Sequence, residues 1–143
     1  MKASQILKNN RENIKVVLEE SIPQLAAENP DIEVVWLYGS RARNTHRPDS
    51  DIDLAIAYKN FKLDPLEKVS RPVITASDWQ AALNTQVKIS VVDINQIPIY
   101  LAFSVISEGK VLYSNNDYRM YKEEDRIMAL YEYQMIQSQK RGN

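Results

Sequence analysis

The chain has 143 residues, 44% of them hydrophobic and 26% charged, and a formal net charge of −1. That is the size of one domain with a single core, read here as residues 1–143, and its charge balance lacks the basic excess that sequence-independent nucleic-acid binding needs, so no direct nucleic-acid binding is expected. No cysteine and one histidine exclude disulfides, thiolate sites and histidine clusters; any metal must be held by carboxylates, which favours a hard ion such as Mg²⁺.

The first segment reads as a helix. Leu7, Ile14, Leu18, Ile22 and Leu25 recur on one helical face, with Lys8, Arg11, Glu12 and Glu19 between them. Pro23 marks a break or fresh start within it, and Asn29-Pro30-Asp31 ends it. The N-terminal residues hold no long apolar run and no stretch could span a bilayer, so no signal peptide and no membrane contact are expected, and the expected location is the cytoplasm.

Ile32 to Tyr38 is a strand whose nearly continuous apolar run implies cover on both faces. Gly39-Ser40 ends it, Arg41 to Thr45 form a short helical turn, and His46 to Ser50 form a loop. A second strand, Asp51 to Tyr58, alternates cleanly. Ile52, Leu54 and Ile56 face a core; Asp51, Asp53, Ala55 and Ala57 face something small or polar.

Asp64 is the N-cap of the next helix, with Pro65 at its first position. Pro72 predicts a kink, or two helices with the second starting near Ser77. Val87 to Ile94 is a third strand, with Val87, Ile89 and Val91 on one face and Lys88, Ser90 and Val92 on the other. A helix from Pro98 to Ser107 stops at Glu108-Gly109. Lys110 to Tyr113 is a short strand, Asn115-Asn116-Asp117 is a turn or cap, and a last helix spans about residues 117–140. The expected architecture is α+β: a small mixed sheet with helices mainly on one face, the other left partly open, and a C-terminal helix.

Two acids one residue apart on a strand point the same way, their Cα atoms roughly 6–7 Å apart. They repel each other unless a cation lies between, and Mg²⁺ suits that position because it takes carboxylate oxygens, water and phosphate. Gly39 lets backbone approach a phosphate, and Ser40 and the amides at the start of the helical turn can donate to it. Arg41 and Arg43 are near enough in sequence to reach the same anion. Either half alone is a common surface pattern: acids favour strand ends, and Gly-Ser is an ordinary turn. The combination is more specific, because a strand, Gly39-Ser40, the ten residues Arg41 to Ser50, and Asp51-x-Asp53 on an alternating strand carry context at both ends.

This arrangement resembles the signature of the nucleotidyltransferase superfamily typified by DNA polymerase β. The wording Tyr38-Gly39-Ser40-Arg41-Ala42-Arg43 and Pro48-Asp49-Ser50-Asp51-Ile52-Asp53-Leu54 is similar to its minimal nucleotidyltransferases, above all the MntA-type antitoxins encoded with a HEPN-domain RNase toxin. The resemblance implies a polymerase-β-like fold, ATP as substrate and Mg²⁺ as cofactor. It implies transfer of AMP to a tyrosine hydroxyl of the toxin, with release of pyrophosphate, and a hetero-oligomer with that toxin. Carried over, Asp51 and Asp53 hold the metal and carry catalysis. Gly39, Ser40, Arg41, Arg43 and Ser50 bind the nucleotide.

The family also has a third carboxylate on a neighbouring strand. Aligned with it, Ile89-Ser90-Val91-Val92-Asp93-Ile94-Asn95 puts Ser90 at that position. Asp93 has the chemistry but the wrong parity unless a bulge shifts it. Lys88, two positions before Ser90, is a candidate site-facing cation instead. The departure leaves a second function open, in which the protein neutralises its partner by binding alone. A third, small-molecule nucleotidyl transfer, would need a further domain for the acceptor.

The last helix carries apolar residues on more than one stripe: Tyr121, Met128, Tyr131 and Met135 on one, Ile127, Leu130 and Tyr133 on another. Either it is sandwiched between the sheet and the first helix, or one stripe meets a partner. On the second reading, truncation after Tyr118 removes the partner surface and leaves the motif intact. His46 reads as a solvated loop residue and Trp36 as core.

Overall fold

A computed structural model describes residues 14–142; Leu7, Lys8, Arg11 and Glu12 of the expected first helix lie outside the described residues. A π-helical segment, Val17–Ser21, leads into α1 (Ile22–Ala27), with Pro23 in the first turn of α1. Proline lacks an N–H and its ring collides with the carbonyl four residues back. The widened turn relieves that collision: the N–H of Ile22 reaches back to Val17 O.

There follow β1 (Ile32–Tyr38), the short α2 (Ser40–Arg43), β2 (Ile52–Tyr58), α3 (Pro65–Leu83), β3 (Ile89–Asp93), α4 (Ile99–Glu108), β4 (Lys110–Ser114) and α5 (Asp117–Arg141). The sheet order is β3-β2-β1-β4. The β1–β2 and β1–β4 pairs are antiparallel and β2–β3 is parallel, so the sheet is mixed, as expected.

Both faces of this sheet are packed. On one, Ile32, Val35 and Leu37 of β1 and Ile52, Leu54 and Ile56 of β2 meet Ile22 and Ala26 of α1 and Trp79 of α3. On the other, Val34 and Trp36 join Ala55 and Ala57 beneath Ala102 and Val105 of α4 and Ile127 of α5. The face carrying the two alanines is therefore covered along most of β2 rather than partly open. Small side chains there admit α4 closely, and Asp53, at the start of β2, is half-buried. Each large side chain buried in these layers stabilises the fold by about 1.5–3 kcal/mol.

Pro72 does not divide α3, which runs unbroken from Pro65 to Leu83. An interior proline costs roughly 3 kcal/mol, and packing offsets it here. Pro72, Thr75 and Trp79 are buried, and Thr75 Oγ1 lies 2.8 Å from the buried Tyr58 hydroxyl. Asp64 caps the helix as expected, its carboxylate accepting from Glu67 N at 2.8 Å. The third strand starts at Ile89 rather than Val87, because the Gln80 side chain takes the backbone of the preceding segment: its amide donates to Thr85 O and Val87 O, and its oxygen accepts from Ile89 N. Gly109 ends α4 in extended backbone (φ −76°); a side chain there would collide with Val105 O and Leu37 O.

The last helix is fastened to the sheet at its start. Asn116 caps it, accepting from Arg119 N at 3.1 Å. The buried Arg119 guanidinium donates to Glu33, Tyr58 O, Asn95 and Glu123. Burial pushes the Glu123 carboxyl up, but hydrogen bonds from Asn95, Arg126 and Arg119 outweigh it and hold its pKa below the usual glutamate value. Beyond Ile127 the helix is attached chiefly by Tyr131, whose ring stacks on Phe103 at 3.7 Å. Leu130, Tyr133, Met135 and Ile136 are exposed. No described helix is long and apolar enough to cross a membrane.

Candidate active site

The site forms where β1 ends and β2 begins. Tyr38 is the antiparallel partner of Asp53, so the residue before the Gly-Ser turn and the second acid lie side by side. Gly39 then turns the chain with φ 75° and ψ −156°, a conformation essentially reserved for glycine. A second constraint acts at the same atom: a Cβ on Gly39 would stand 2.5 Å from Asp53 Oδ2. The glycine is what allows the turn to rest against the carboxylate. Gly39 O accepts from Ala42 N at 3.1 Å and Arg43 N at 3.2 Å, closing the turn of α2.

Asp53 lies within the sheet and is half-buried, whereas Asp51 precedes β2 and is exposed. Burial, then the neighbouring Asp51 charge, raise the Asp53 pKa, opposed by Arg41, Arg43 and Lys88. Burial and the Asp53 charge likewise push the Tyr38 phenol up to about 12, so it stays neutral at physiological pH. Two mutually repelling carboxylates at an open sheet end fit a hard cation, and Asp51 and Asp53 are the residues that would hold Mg²⁺.

Ser90 is the parallel partner of Asp53, on the face that the strand alternation predicts. Asp93 lies on the opposite face, buried, where it accepts from Arg71 at 3.2 Å and from Asn95 N at 2.9 Å. It belongs to an ion-pair network in which Arg71 also bridges Asp31 and lies over the Tyr58 ring. Asp93 therefore does not serve as a third acid, and no group of three potential metal-ligating side chains occurs among the described residues.

The remaining candidates differ from one another. Arg41 is buried and binds its own loop: Nε and Nη2 donate to Ser50 O at 3.0 and 2.8 Å, and Nη2 also reaches Pro48 O at 3.2 Å. Ser50 Oγ in turn accepts from Arg47 N at 2.8 Å. Both shape the segment between the turn and the acids. Arg43 is exposed and paired with Glu108 at 3.1 Å. Sequence reasoning gave no role to Tyr38, although its place just before Gly39 brings it beside Asp53.

The fold and this juxtaposition define a nucleotidyltransferase. Residues 20–118 match the family "Polymerase beta, Nucleotidyltransferase", and the chain belongs to that family. Within it, the chain is similar to protein adenylyltransferase MntA of Shewanella oneidensis, with 27% identity over 120 residues covering 83% of this chain and 77% of the relative. The fold is that of a toxin–antitoxin crystal structure with AMP-PNP, with a TM-score of 0.68 and 23% identity over 85% of this chain and 93% of that one. It is also that of the tri-AMPylated Shewanella oneidensis HEPN toxin in complex with MNT antitoxin, with a TM-score of 0.63 and 20% identity over 92% of this chain and 93% of that one.

Proposed function

We propose that the protein is an antitoxin which binds ATP at Gly39-Ser40 and the Asp51/Asp53 pair and transfers AMP to a tyrosine hydroxyl of a cognate HEPN RNase toxin, releasing pyrophosphate. The observation that carries this reading is the contact of the Gly39 turn with the Asp53 carboxylate, which brings a phosphate-approachable backbone and a metal-competent acid pair to one point. Mg²⁺ at Asp51 and Asp53 would neutralise charge developing on the transferred group and polarise the acceptor hydroxyl.

The chain's own residues orient the substrate. Gly39 admits the phosphates closely, and Ser40 offers donors to them. Arg41 holds the loop that presents Asp51. The toxin docks on the exposed end of α5, where Tyr133, Met135 and Ile136 offer the aromatic and methionine surface favoured at protein contacts. Toxin complexes among the structural relatives support a partner of this class.

Ser90 beside Asp53 favours a second reading, neutralisation by binding with little or no transfer. Incubation with labelled ATP, Mg²⁺ and the cognate toxin separates the two. The first predicts an AMP adduct on the toxin, lost in both Asp51→Asn and Asp53→Asn. An unmodified toxin that is still inhibited supports binding alone.

A further inference from the structure

Resting on the nucleotide-binding reading above, we propose that Lys88, at the head of β3, is the cation that neutralises the phosphate chain of the bound nucleotide, in place of the two arginines that follow Gly39-Ser40.

The arginines are already engaged. Arg41 donates to Ser50 O and Pro48 O inside its own loop, and Arg43 is paired with Glu108. None of the ion pairs among the described residues includes Lys88.

Its position follows from the backbone. Ile52 N donates to Lys88 O at 2.9 Å, and Ile52 is the register partner of Ile89. Lys88 therefore stands next to Asp51 as Ser90 stands next to Asp53. The alternation of β3, carried one residue back to Lys88, puts both side chains on the face of the acids. The backbone on either side of Lys88 is fixed by Gln80, which donates to Val87 O at 3.0 Å and accepts from Ile89 N at 2.7 Å. The side chain itself is exposed, just ahead of an edge strand, and its charge acts on Asp53 together with those of Arg41 and Arg43. An ammonium in that position offers three donors and a point charge to phosphate oxygens.

The same charge has an opposite effect on a bare divalent cation, which it repels from Asp51 and Asp53. Metal is therefore taken up best together with the nucleotide, whose phosphates offset Lys88.

The test uses the full chain as wild type, Lys88→Ala and Lys88→Arg. Two affinities are measured: for Mn²⁺ alone by electron paramagnetic resonance, and for the Mg²⁺ complex of a non-hydrolysable ATP analogue by calorimetry. In Lys88→Ala the analogue binds about fivefold to tenfold more weakly, less so at high salt, while Mn²⁺ alone binds about twofold more tightly. Lys88→Arg restores the analogue. Unchanged analogue affinity in Lys88→Ala overturns the assignment, and so do two affinities that fall together, which would mark a general loss of structure. A wild-type chain that does not bind the analogue overturns the nucleotide reading and the Lys88 assignment with it.

Discussion

Ser90 lies beside Asp53 in the parallel register of β3 and β2, on the same face of the sheet. An acid at position 90 would thus complete a cluster of three carboxylates with Asp51 and Asp53. Ser90→Asp is expected to raise the rate of AMP transfer to the toxin at least about tenfold, roughly 1.4 kcal/mol in the barrier. Single-turnover labelling measures it. A rate equal to wild type would mean that the native pair is already sufficient.

Asp53→Asn separates function from stability. The Asp53 pKa is raised in the fold, by burial first and Asp51 second, so the folded state resists its ionisation. The associated stability is present below the ordinary aspartate pKa and is lost as pH rises through the raised value. The variant lacks that penalty. It should be more stable than wild type at pH 7 by on the order of 0.5 kcal/mol, the scale of a partly screened charge pair, with the gain vanishing below about pH 4. Thermal melts across pH decide it. A variant less stable than wild type at neutral pH would show that the Asp53 charge is structurally required.

Arg119→Leu should destabilise the fold by about 3–5 kcal/mol, since Glu33 and Glu123 lose a partner where neither is well solvated. The pH dependence follows from Glu123, whose folded pKa is held down despite burial. Its contribution is present above the ordinary glutamate pKa and is lost as pH falls through the lower folded value. The acid limb of wild-type stability should therefore be steeper than that of the variant in urea titrations between about pH 5 and 3.

A test of the proposed partner surface needs a more distal cut than the sequence implies. Truncation after Tyr118 removes Arg119, Glu123 and Ile127, all buried, and is expected to unfold the chain. Truncation after Glu132 keeps the Tyr131–Phe103 stack and deletes Tyr133, Met135 and Ile136. That form should melt within a few degrees of wild type and bind the toxin at least about tenfold more weakly. Full-strength toxin binding by a folded chain ending at Glu132 would move the interface elsewhere.

The element order was legible because strand alternation, Gly39-Ser40 and the Asp64-Pro65 and Asn116 caps are local signals. The resemblance put Ser90 at the third-acid position, strand parity set Asp93 on the other face, and the parallel register agrees. What the sequence hid depends on tertiary neighbours. Ala55 and Ala57 look like the floor of an open face until Ala102 and Val105 are set against them. Pro72 looks like a break until Thr75 and Trp79 are seen to hold the helix down. Arg41 and Arg43 look equivalent, two residues apart, yet one folds inward onto loop carbonyls and the other meets Glu108 across the fold. No spacing rule distinguishes such fates, because the carbonyls of Pro48 and Ser50 carry no mark in the sequence.

The inward fold of Arg41 bears on the thermodynamics of substrate capture. Loops that bind phosphates often become ordered only when the ligand arrives, and the lost conformational freedom then subtracts from affinity. Here two guanidinium nitrogens already hold the segment before Asp51. The ordering cost falls on folding instead of on binding. On the proposed nucleotide reading, binding should consequently carry little unfavourable conformational entropy from this segment.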